Sequence, residues 1–425
     1  MTEITAKSII KESEQELTNQ FERIDEIALF NQEKVLNAFK NNKIQARHFN
    51  GSTGYGYGDD ARDTLGKVFA DIFKAESALV SPLISSGTHA LSLMLFAVCK
   101  AGDKILSVTG EPYDTLMDVI QGENCGSLKD YGVSFEAIDL DIDENGDPHF
   151  RYDEIKKKIE KENITAIFMQ RSCGYCWKQP LTISNIRDIC DYVKSLKKDI
   201  IIIVDNCYGE FVNEKEPIEV GATLCAGSLI KNPGGGIAPT GGYVVGRADL
   251  VERAAQRLTC PGVGSEIGSY ISTYLPFYQG LFLAPITVKN ALKGSLLFSR
   301  AYSKLGLETL PKQGYEPNDI VTSIKFNNKD KLIAFCRSIQ EISPIDSNVT
   351  LEPWDMPGYQ DQVIMAAGTF IGGASIELSA DSPIREPFIA YVQGGLTYEH
   401  VKLAVEYSLN KILKQSFWRI KYQTK

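Results

Sequence analysis

The stretch "AGSLIKNPGGGIAPTGGYVVG", from Ala226 to Gly246, decides how the chain folds and where its chemistry lies. It places one lysine, Lys231, among small residues and seven glycines. Glycine adopts positive φ and lets backbone or a ligand approach closely. Apolar runs on both sides of the loop predict two strands, "TLCAGSL" and "GGYVVG". The pattern favours a lysine that contacts a bound ligand. The alternative is an ordinary surface lysine.

Outward from this loop, short apolar runs alternate with helical segments. Four further candidate strands are "ALVSPLI" (78–84), "KILSV" (104–108), "AIFMQRS" (166–172) and "IIIIVDN" (200–206). Nearly all-apolar runs are typical of parallel strands buried on both faces, and their alternation with helices predicts a doubly wound α/β sheet. We expect an N-terminal helical arm at 1–50, a large domain with a mostly parallel sheet at 51–285, and a smaller α+β C-terminal domain at 286–425.

Composition narrows the class of protein. Of 425 residues, 43% are hydrophobic and 23% charged, which suits a globular core. The net charge of −9 argues against nucleic acid or an anionic membrane surface as the main partner. The charged N-terminus argues against a secretion signal. The lack of an apolar run of about 18 residues argues against a membrane span. Nine cysteines, an odd number, fit reduced thiols in a cytoplasmic protein.

Cys173 and Cys176 form one C-x-x-C pair in "RSCGYCW". A redox pair or half of a metal site is the functional interpretation. A zinc site needs further ligands, and none of the four histidines is paired with a cysteine at ligand spacing. We therefore favour a coincidental spacing and expect no metal.

Polar side chains follow the candidate strands, at the edge where doubly wound sheets bind ligands. In "SSGTHA" (85–90) a strand leads into a helix start, whose free N–H groups and dipole favour a phosphate. Asp205 ends "IIIIVD", where a carboxylate needs a partner or solvent. Tyr113 follows another strand, and Arg385 lies in the predicted C-terminal domain. The structural alternatives are helix caps for the serines and Asp205, core packing for Tyr113, and an ion pair for Arg385.

A phosphate cradle, a strand-end carboxylate and a lone lysine together suit pyridoxal 5′-phosphate. Its aldehyde forms a Schiff base with an amine, and its ring nitrogen needs a carboxylate to stay protonated. An opposite charge within a few ångströms shifts such a pKa by roughly 1–3 units. The flat ring also accepts an aromatic neighbour. Lys231, Asp205 and Tyr113 offer these groups.

The chain as a whole resembles a known family. The similar blocks are "GSTGYGYGD", "SSGTHA", "GEPYDT", "QRSCGY", "VDNCYGEF", "GSLIKNPGGGIAPTGGY" and "PFIAYVQGGLTYEH". Together they resemble the methionine gamma-lyase family, also described as the aluminium resistance protein family and as cystathionine lyases. These are pyridoxal-phosphate enzymes of the aspartate aminotransferase fold type (type I).

The resemblance implies roles for the residues of the cofactor site. Lys231 is similar to the Schiff-base lysine, Asp205 to the partner of the ring nitrogen, and Tyr113 to the ring that stacks on the cofactor. The phosphate ligands would be Ser86, Gly87, Thr88 and Ser228.

The resemblance also implies contacts beyond that site. Tyr55 or Tyr57 would reach the phosphate of a neighbouring subunit in a homodimer or homotetramer, and Arg385 would hold the substrate carboxylate as a bidentate fork. The block "QRSCGYCWKQP" departs from the family pattern, which puts Arg171 and Lys178 in doubt as substrate contacts.

The implied activity is cleavage of a carbon–sulfur bond in a small amino acid, by β- or γ-elimination on cystathionine-, methionine- or cysteine-like substrates. Transamination and decarboxylation are alternatives on the same scaffold, since the fold does not decide the reaction. A cofactor-binding, stress-related protein with little turnover is an alternative of a different class.

Overall fold

The computed structural model describes residues 5–356 and 359–414, which form two main sheets covered by helices. The helices are α1 (Ala6–Glu16), α2 (Thr18–Asn41), α3 (Asp60–Phe73), α4 (Gly87–Val98), α5 (Asp114–Gln121), α6 (Tyr152–Lys161), α7 (Ile183–Leu196), α8 (Ala248–Leu258), α9 (Leu275–Lys304), α10 (Lys329–Glu341) and α11 (Tyr398–Lys414). The strands are β1 (Ser77–Ser81), β2 (Lys104–Ser107), β3 (Ser134–Ala137), β4 (Asp141–Ile142), β5 (Pro148–His149), β6 (Ala166–Gln170), β7 (Ile201–Asp205), β8 (Leu224–Ser228), β9 (Gly242–Gly246), β10 (Glu308–Leu310), β11 (Val321–Lys325), β12 (Val363–Ala366), β13 (Ser379–Pro383) and β14 (Ile389–Gln393).

The large sheet has seven strands in the order β1-β9-β8-β7-β6-β2-β3. β9 runs antiparallel to both of its neighbours, and all other pairs among β8, β7, β6, β2 and β3 are parallel. Every residue of β6, β8 and β9 is buried, as expected for strands covered on both faces. The mostly parallel α/β sheet predicted from the apolar runs is confirmed, with β9 as its one reversed strand.

The carboxyl ends of three neighbouring parallel strands meet at one edge of this sheet. Gln170, the last residue of β6, lies opposite Asp205, the last residue of β7. β8 ends at Ser228, and Lys231 follows in the connection to β9. A side chain at the end of each strand therefore faces the space beyond the edge, where this class of sheet binds ligands.

The second sheet is antiparallel throughout, in the order β10-β11-β14-β13-β12. Its core contains apolar side chains from α9, α10 and α11, and also Ala6, Ile9 and Ile10 of α1. The described part of the expected N-terminal arm is helical, as α1 and α2, and α1 packs against α9 and α11. The predicted boundary at 285/286 falls inside α9, and the domain limits remain predictions.

Among the described helices, α9 is the one long and apolar enough to cross a membrane by length and composition. In the fold, 67% of its most apolar window is buried. Its partners include α2, α11 and the loop that carries Lys231. This burial is typical of the core helix of a globular protein.

The loop that contains Lys231 packs closely against α9, and a glycine lies at the contact on each side. A Cβ added to Gly280, in α9, would lie 2.2 Å from the carbonyl oxygen of Gly234. A Cβ added to Gly234 would lie 1.7 Å from the carbonyl oxygen of Leu229. Neither distance is possible for a real side chain, so both positions require glycine for the loop to keep its position.

We predict that Gly280→Ala destabilises the protein by about 1–3 kcal/mol, because it overpacks this contact. Helix propensity alone predicts the opposite sign, a gain of about 1 kcal/mol for alanine over glycine. Urea unfolding measures the difference. Gly372→Ala is the matched control, because its added Cβ meets no heavy atom within 4 Å. A Gly280→Ala protein as stable as the wild type would contradict this account of the loop.

Candidate active site

A cavity of about 270 Å³ lies beyond the carboxyl edge of the large sheet, where the second sheet faces it. It brings together most of the residues that the sequence singled out. Those that line it are Ser86, Gly87, Thr88, Tyr113, Asp205, Ser228 and Lys231. The structure does not bring Tyr55, Tyr57 or Arg385 of the same chain into it.

Lys231 reaches into the cavity from the start of a short 3-10 helix, Asn232–Gly234. Its Nζ lies 4.2 Å from the centre of the Tyr208 ring. Burial by itself lowers the pKa of the ammonium, but the surrounding acidic groups, including the carboxylate of Asp205, raise that pKa well above its ordinary value. The lysine is enclosed among groups that favour its charge, unlike a surface lysine.

Asp205 is a buried carboxylate at the end of β7, with 3% of its surface exposed. Its Oδ1 accepts a hydrogen bond from the backbone N–H of Cys207 at 3.0 Å. Burial raises the pKa of the carboxyl, and the charge of Lys231 opposes that shift. A cation placed beside Asp205 would therefore be stabilised by it, and would in turn hold Asp205 ionised.

The N-terminus of α4 borders the cavity close to Lys231, since a Cβ added to Gly87 would lie 4.0 Å from the lysine Nζ. Ser86 is its N-cap, and its Oγ accepts from the backbone N–H of His89 at 3.0 Å, so this hydroxyl serves the helix cap. The first N–H groups of a helix, those of Gly87 and Thr88, have no intrahelical acceptor and suit an anion. A Cβ on Gly87 would fill the space beside Ser228, 3.4 Å from its Cβ. Glycine keeps this cradle open.

Tyr113 is the N-cap residue of α5 and stands beside the helix start of α4. Its hydroxyl and the Oγ1 of Thr88 are 3.1 Å apart, at hydrogen-bonding distance. Burial and the nearby Asp205 both raise the pKa of the phenol. The ring is therefore neutral and held in orientation, as a stacking partner must be.

Several lining residues were missed by the sequence reasoning. Cys207 and Tyr208 lie in the quoted block "VDNCYGEF", and Tyr208 has a positive φ of 72°. Their position just after Asp205 was an available signal. Asp381 and Gln393 come from the second sheet. Gln393 lies in the quoted block "PFIAYVQGGLTYEH", whereas Asp381 lies outside the quoted blocks.

Arg385 lies outside this cavity, with 53% of its side chain exposed. Its Nη1 forms an ion pair with Asp361 at 3.2 Å, and its Nη2 donates to the carbonyl oxygen of Tyr175 at 3.4 Å. It lines a separate cavity, and Tyr175 and Tyr391 border both cavities. This placement favours the ion-pair alternative over a direct contact with a substrate held at Lys231.

Tyr55 and Tyr57 lie in the loop before α3 and are 69% and 68% exposed. Their ring centres are 5.6 Å apart. The backbone of this loop is tied down, since the N–H of Gly268 donates to the carbonyl oxygen of Tyr55 at 3.0 Å. The two rings thus project outward from an anchored loop, and their role in a neighbouring subunit remains a prediction.

Arg171 is fully buried, and its Nη1 donates to Oδ1 of Asn206 at 2.9 Å and to the carbonyl oxygen of Gly209 at 2.8 Å. It braces the chain just after Asp205 and does not line the cavity that contains Lys231. Lys178 is also buried and outside that lining.

Cys173 and Cys176 are free thiols, the first buried and the second exposed. Within residues 5–356 and 359–414, no group of three or more histidine, cysteine or acidic side chains is arranged to hold a metal ion.

Comparison with known proteins matches this geometry to a family. The methionine gamma-lyase family profile matches residues 6–413. A carbon-sulfur lyase involved in aluminum resistance, from Clostridium novyi NT, is 51% identical, with a TM-score of 0.91 over 96% of each chain. A Listeria monocytogenes protein, provisionally described as a cystathionine beta-lyase involved in aluminum resistance, is 47% identical, with a TM-score of 0.92 over 95% of this chain and 99% of that one. YnbB of Bacillus subtilis (strain 168), an uncharacterized protein, is 47% identical over 96% of this chain and 97% of its own length.

More distant structures share the fold alone. The pyridoxal-5'-phosphate dependent protein YhfS of Escherichia coli is 15% identical, with a TM-score of 0.61 over 91% of this chain and 97% of that one. The chain therefore has the type I fold of pyridoxal-phosphate-dependent enzymes. Within that class, it belongs to the methionine gamma-lyase family.

The residues of the cavity fit the cofactor that the family and these neighbours imply. The cradle at Gly87, which a Cβ would fill, lies at a helix N-terminus that suits a phosphate. The buried carboxylate of Asp205 suits a protonated ring nitrogen, and the amine of Lys231 suits an aldehyde.

Proposed function

We propose that this protein is a pyridoxal-phosphate-dependent lyase that cleaves the carbon–sulfur bond of a small amino acid by β- or γ-elimination. One water molecule would be consumed, and the products would be a thiol, ammonia, and pyruvate or 2-oxobutanoate. The observation that carries the proposal is the meeting of Lys231, Asp205 and the N-terminus of α4 in one cavity. Membership in a family that includes a relative described as a carbon-sulfur lyase supports the reaction class.

Each residue has a distinct task in this proposal. Pyridoxal phosphate, when bound, supplies an aldehyde for amines and a ring that takes up electrons. The amine of Lys231 would hold the cofactor, and the same amine would take the proton from the substrate Cα. Asp205 holds the proton on the ring nitrogen, and the N–H groups of Gly87 and Thr88 hold the phosphate. Tyr113 covers the ring face.

Product analysis tests the proposal. Cystathionine, methionine and cysteine are supplied separately, and keto acid and thiol are measured together. Their release in equal amounts is the expected result. A keto acid that appears only with an amino-group acceptor and without thiol would indicate transamination. Release of carbon dioxide would indicate decarboxylation, and absence of all products would indicate a binding protein with little turnover.

We predict that Asp205→Asn still binds the cofactor but lowers turnover by at least about 100-fold, because electrons from the substrate Cα are stabilised by a protonated ring nitrogen. Cofactor absorbance and keto acid release measure the two effects. Asp188→Asn, the same change at an exposed site on α7, serves as the control. Near-normal turnover in the Asp205 variant would assign that carboxylate a structural role.

We also propose that the active unit is at least a homodimer in which the loop with Tyr55 and Tyr57 completes the neighbour's site. The loop's exposed rings have no place in the cavity of their own chain. Exposed large apolar side chains on the neighbouring helices α2 and α9 support association, since exposed apolar surface often marks interfaces. They are Leu29, Phe30, Leu36, Leu275, Phe282 and Ile286.

We predict that two inactive variants restore activity when their subunits are exchanged. One carries Lys231→Ala and the other carries both Tyr55→Ala and Tyr57→Ala. A mixed dimer then has one intact site, and random exchange makes about half of the dimers mixed, so about a quarter of wild-type activity returns. Each variant exchanged with itself is the control. No recovery despite exchange, or a fully active monomer by light scattering, would exclude the shared site.

We infer a reducing, cytoplasmic location as well. All nine cysteines lie within the described residues and are free, whereas oxidising compartments favour disulfides.

A further inference from the structure

The wall of the cavity that the second sheet supplies is both acidic and aromatic. Asp381 of β13 and Tyr391 of β14 lie opposite each other in register, and both line the cavity. Tyr175 and Tyr359 line it as well. The ring of Tyr175 is 5.3 Å from that of Tyr391 and 6.1 Å from that of Tyr359. We call these three tyrosines the aromatic wall.

The carboxylate of Asp381 is held in place by neutral groups. Nε2 of Gln393 donates to its Oδ2 at 3.0 Å. Burial raises the pKa of Asp381 to about 6, while the hydrogen bond from Gln393, the charge of Lys231 and the hydroxyl of Tyr175 act in the opposite direction. An ammonium group placed beside Asp381 would lower this pKa further and favour the carboxylate form.

Lys231 is the only cationic side chain among the described residues that line this cavity. The proposed function commits that lysine to the cofactor. Asp381 then faces the substrate space beside aromatic rings, and the described residues that line the cavity include no second cationic side chain. A carboxylate next to aromatic faces is the chemistry that recognises an alkylammonium group, through a charge-assisted hydrogen bond and cation–π contacts.

We propose that Asp381 and the aromatic wall bind a second ammonium group, carried by the thiol half of the substrate. This inference rests on the proposed function and deepens it. The preferred substrates are thioethers whose leaving thiol is itself an amine-bearing amino acid. Methionine and simple S-alkylcysteines lack that ammonium and are poor substrates.

Binding of uncleavable analogues tests the proposal without turnover. In 2,7-diaminosuberate a methylene replaces the sulfur of a diamino thioether, and 2-aminosuberate lacks only the distal amine. Calorimetry on the wild-type holoenzyme should give at least about 10-fold tighter binding of the diamino compound, the size of a charge-assisted contact. Asp381→Asn should reduce that ratio to about 2-fold or less.

Matched variants separate loss of the contact from loss of the fold. Asp330→Asn makes the same change at an exposed site on α10 and should keep the wild-type ratio. Asp381→Glu retains the charge and should keep a preference for the diamino compound. A wild-type ratio near one, or a ratio that survives in Asp381→Asn, would overturn the proposal.

Kinetics give a second measurement. L-cystathionine and S-(3-carboxypropyl)-L-cysteine differ only by the distal ammonium. We expect the wild type to favour cystathionine at least about 10-fold in kcat/KM, and Asp381→Asn to lose this preference. An equal fall in kcat for both substrates, with the preference kept, would instead make Asp381 a proton donor. If neither compound is cleaved but the binding ratio holds, the lyase proposal fails and the ammonium site stands.

Discussion

The site depends on one electrostatic constraint: a carboxylate and an ammonium are enclosed together at the edge of a buried sheet. Asp205 ends a strand covered on both faces, where burial disfavours its charge. Lys231 offsets part of that cost, and Asp205 in turn helps to keep the lysine charged. A cofactor with a cationic ring nitrogen and an amine-reactive aldehyde would satisfy both groups, which explains why they face the same cavity.

Backbone packing keeps that pair in register. The parallel strands β6, β7 and β8 bring their last residues to one edge. The reversed strand β9 makes the chain turn back between Ser228 and Gly242, in the loop that contains Lys231. The turn can lie against α9 only because Gly234 and Gly280 lack side chains. Arg171 holds the segment that follows Asp205, through hydrogen bonds to Asn206 and Gly209. The positions of Lys231 and Asp205 therefore depend on the order of the strands and on two glycines.

Much of the large domain could be predicted from the sequence, because its strands are continuous apolar runs and its site residues follow those runs directly. Lys231, Asp205 and Tyr113 were identified in this way and share a cavity. The second sheet gave no comparable signal. Its strands are antiparallel, so Asp381 reaches the cavity through cross-strand pairing with Tyr391, which no local motif records. For the same reason the sequence offered Arg385 as a cationic candidate but could not determine its position. In the structure it lies outside the cavity.

The most direct test of the account is the identity of the lysine that binds the cofactor. The purified protein, loaded with pyridoxal phosphate, is reduced with borohydride, digested, and mapped by mass spectrometry. The account predicts one phosphopyridoxyl group per chain, on the peptide that contains Lys231, and its loss in Lys231→Ala. A reduced adduct on another lysine, or a reducible bond that survives in Lys231→Ala, would contradict it.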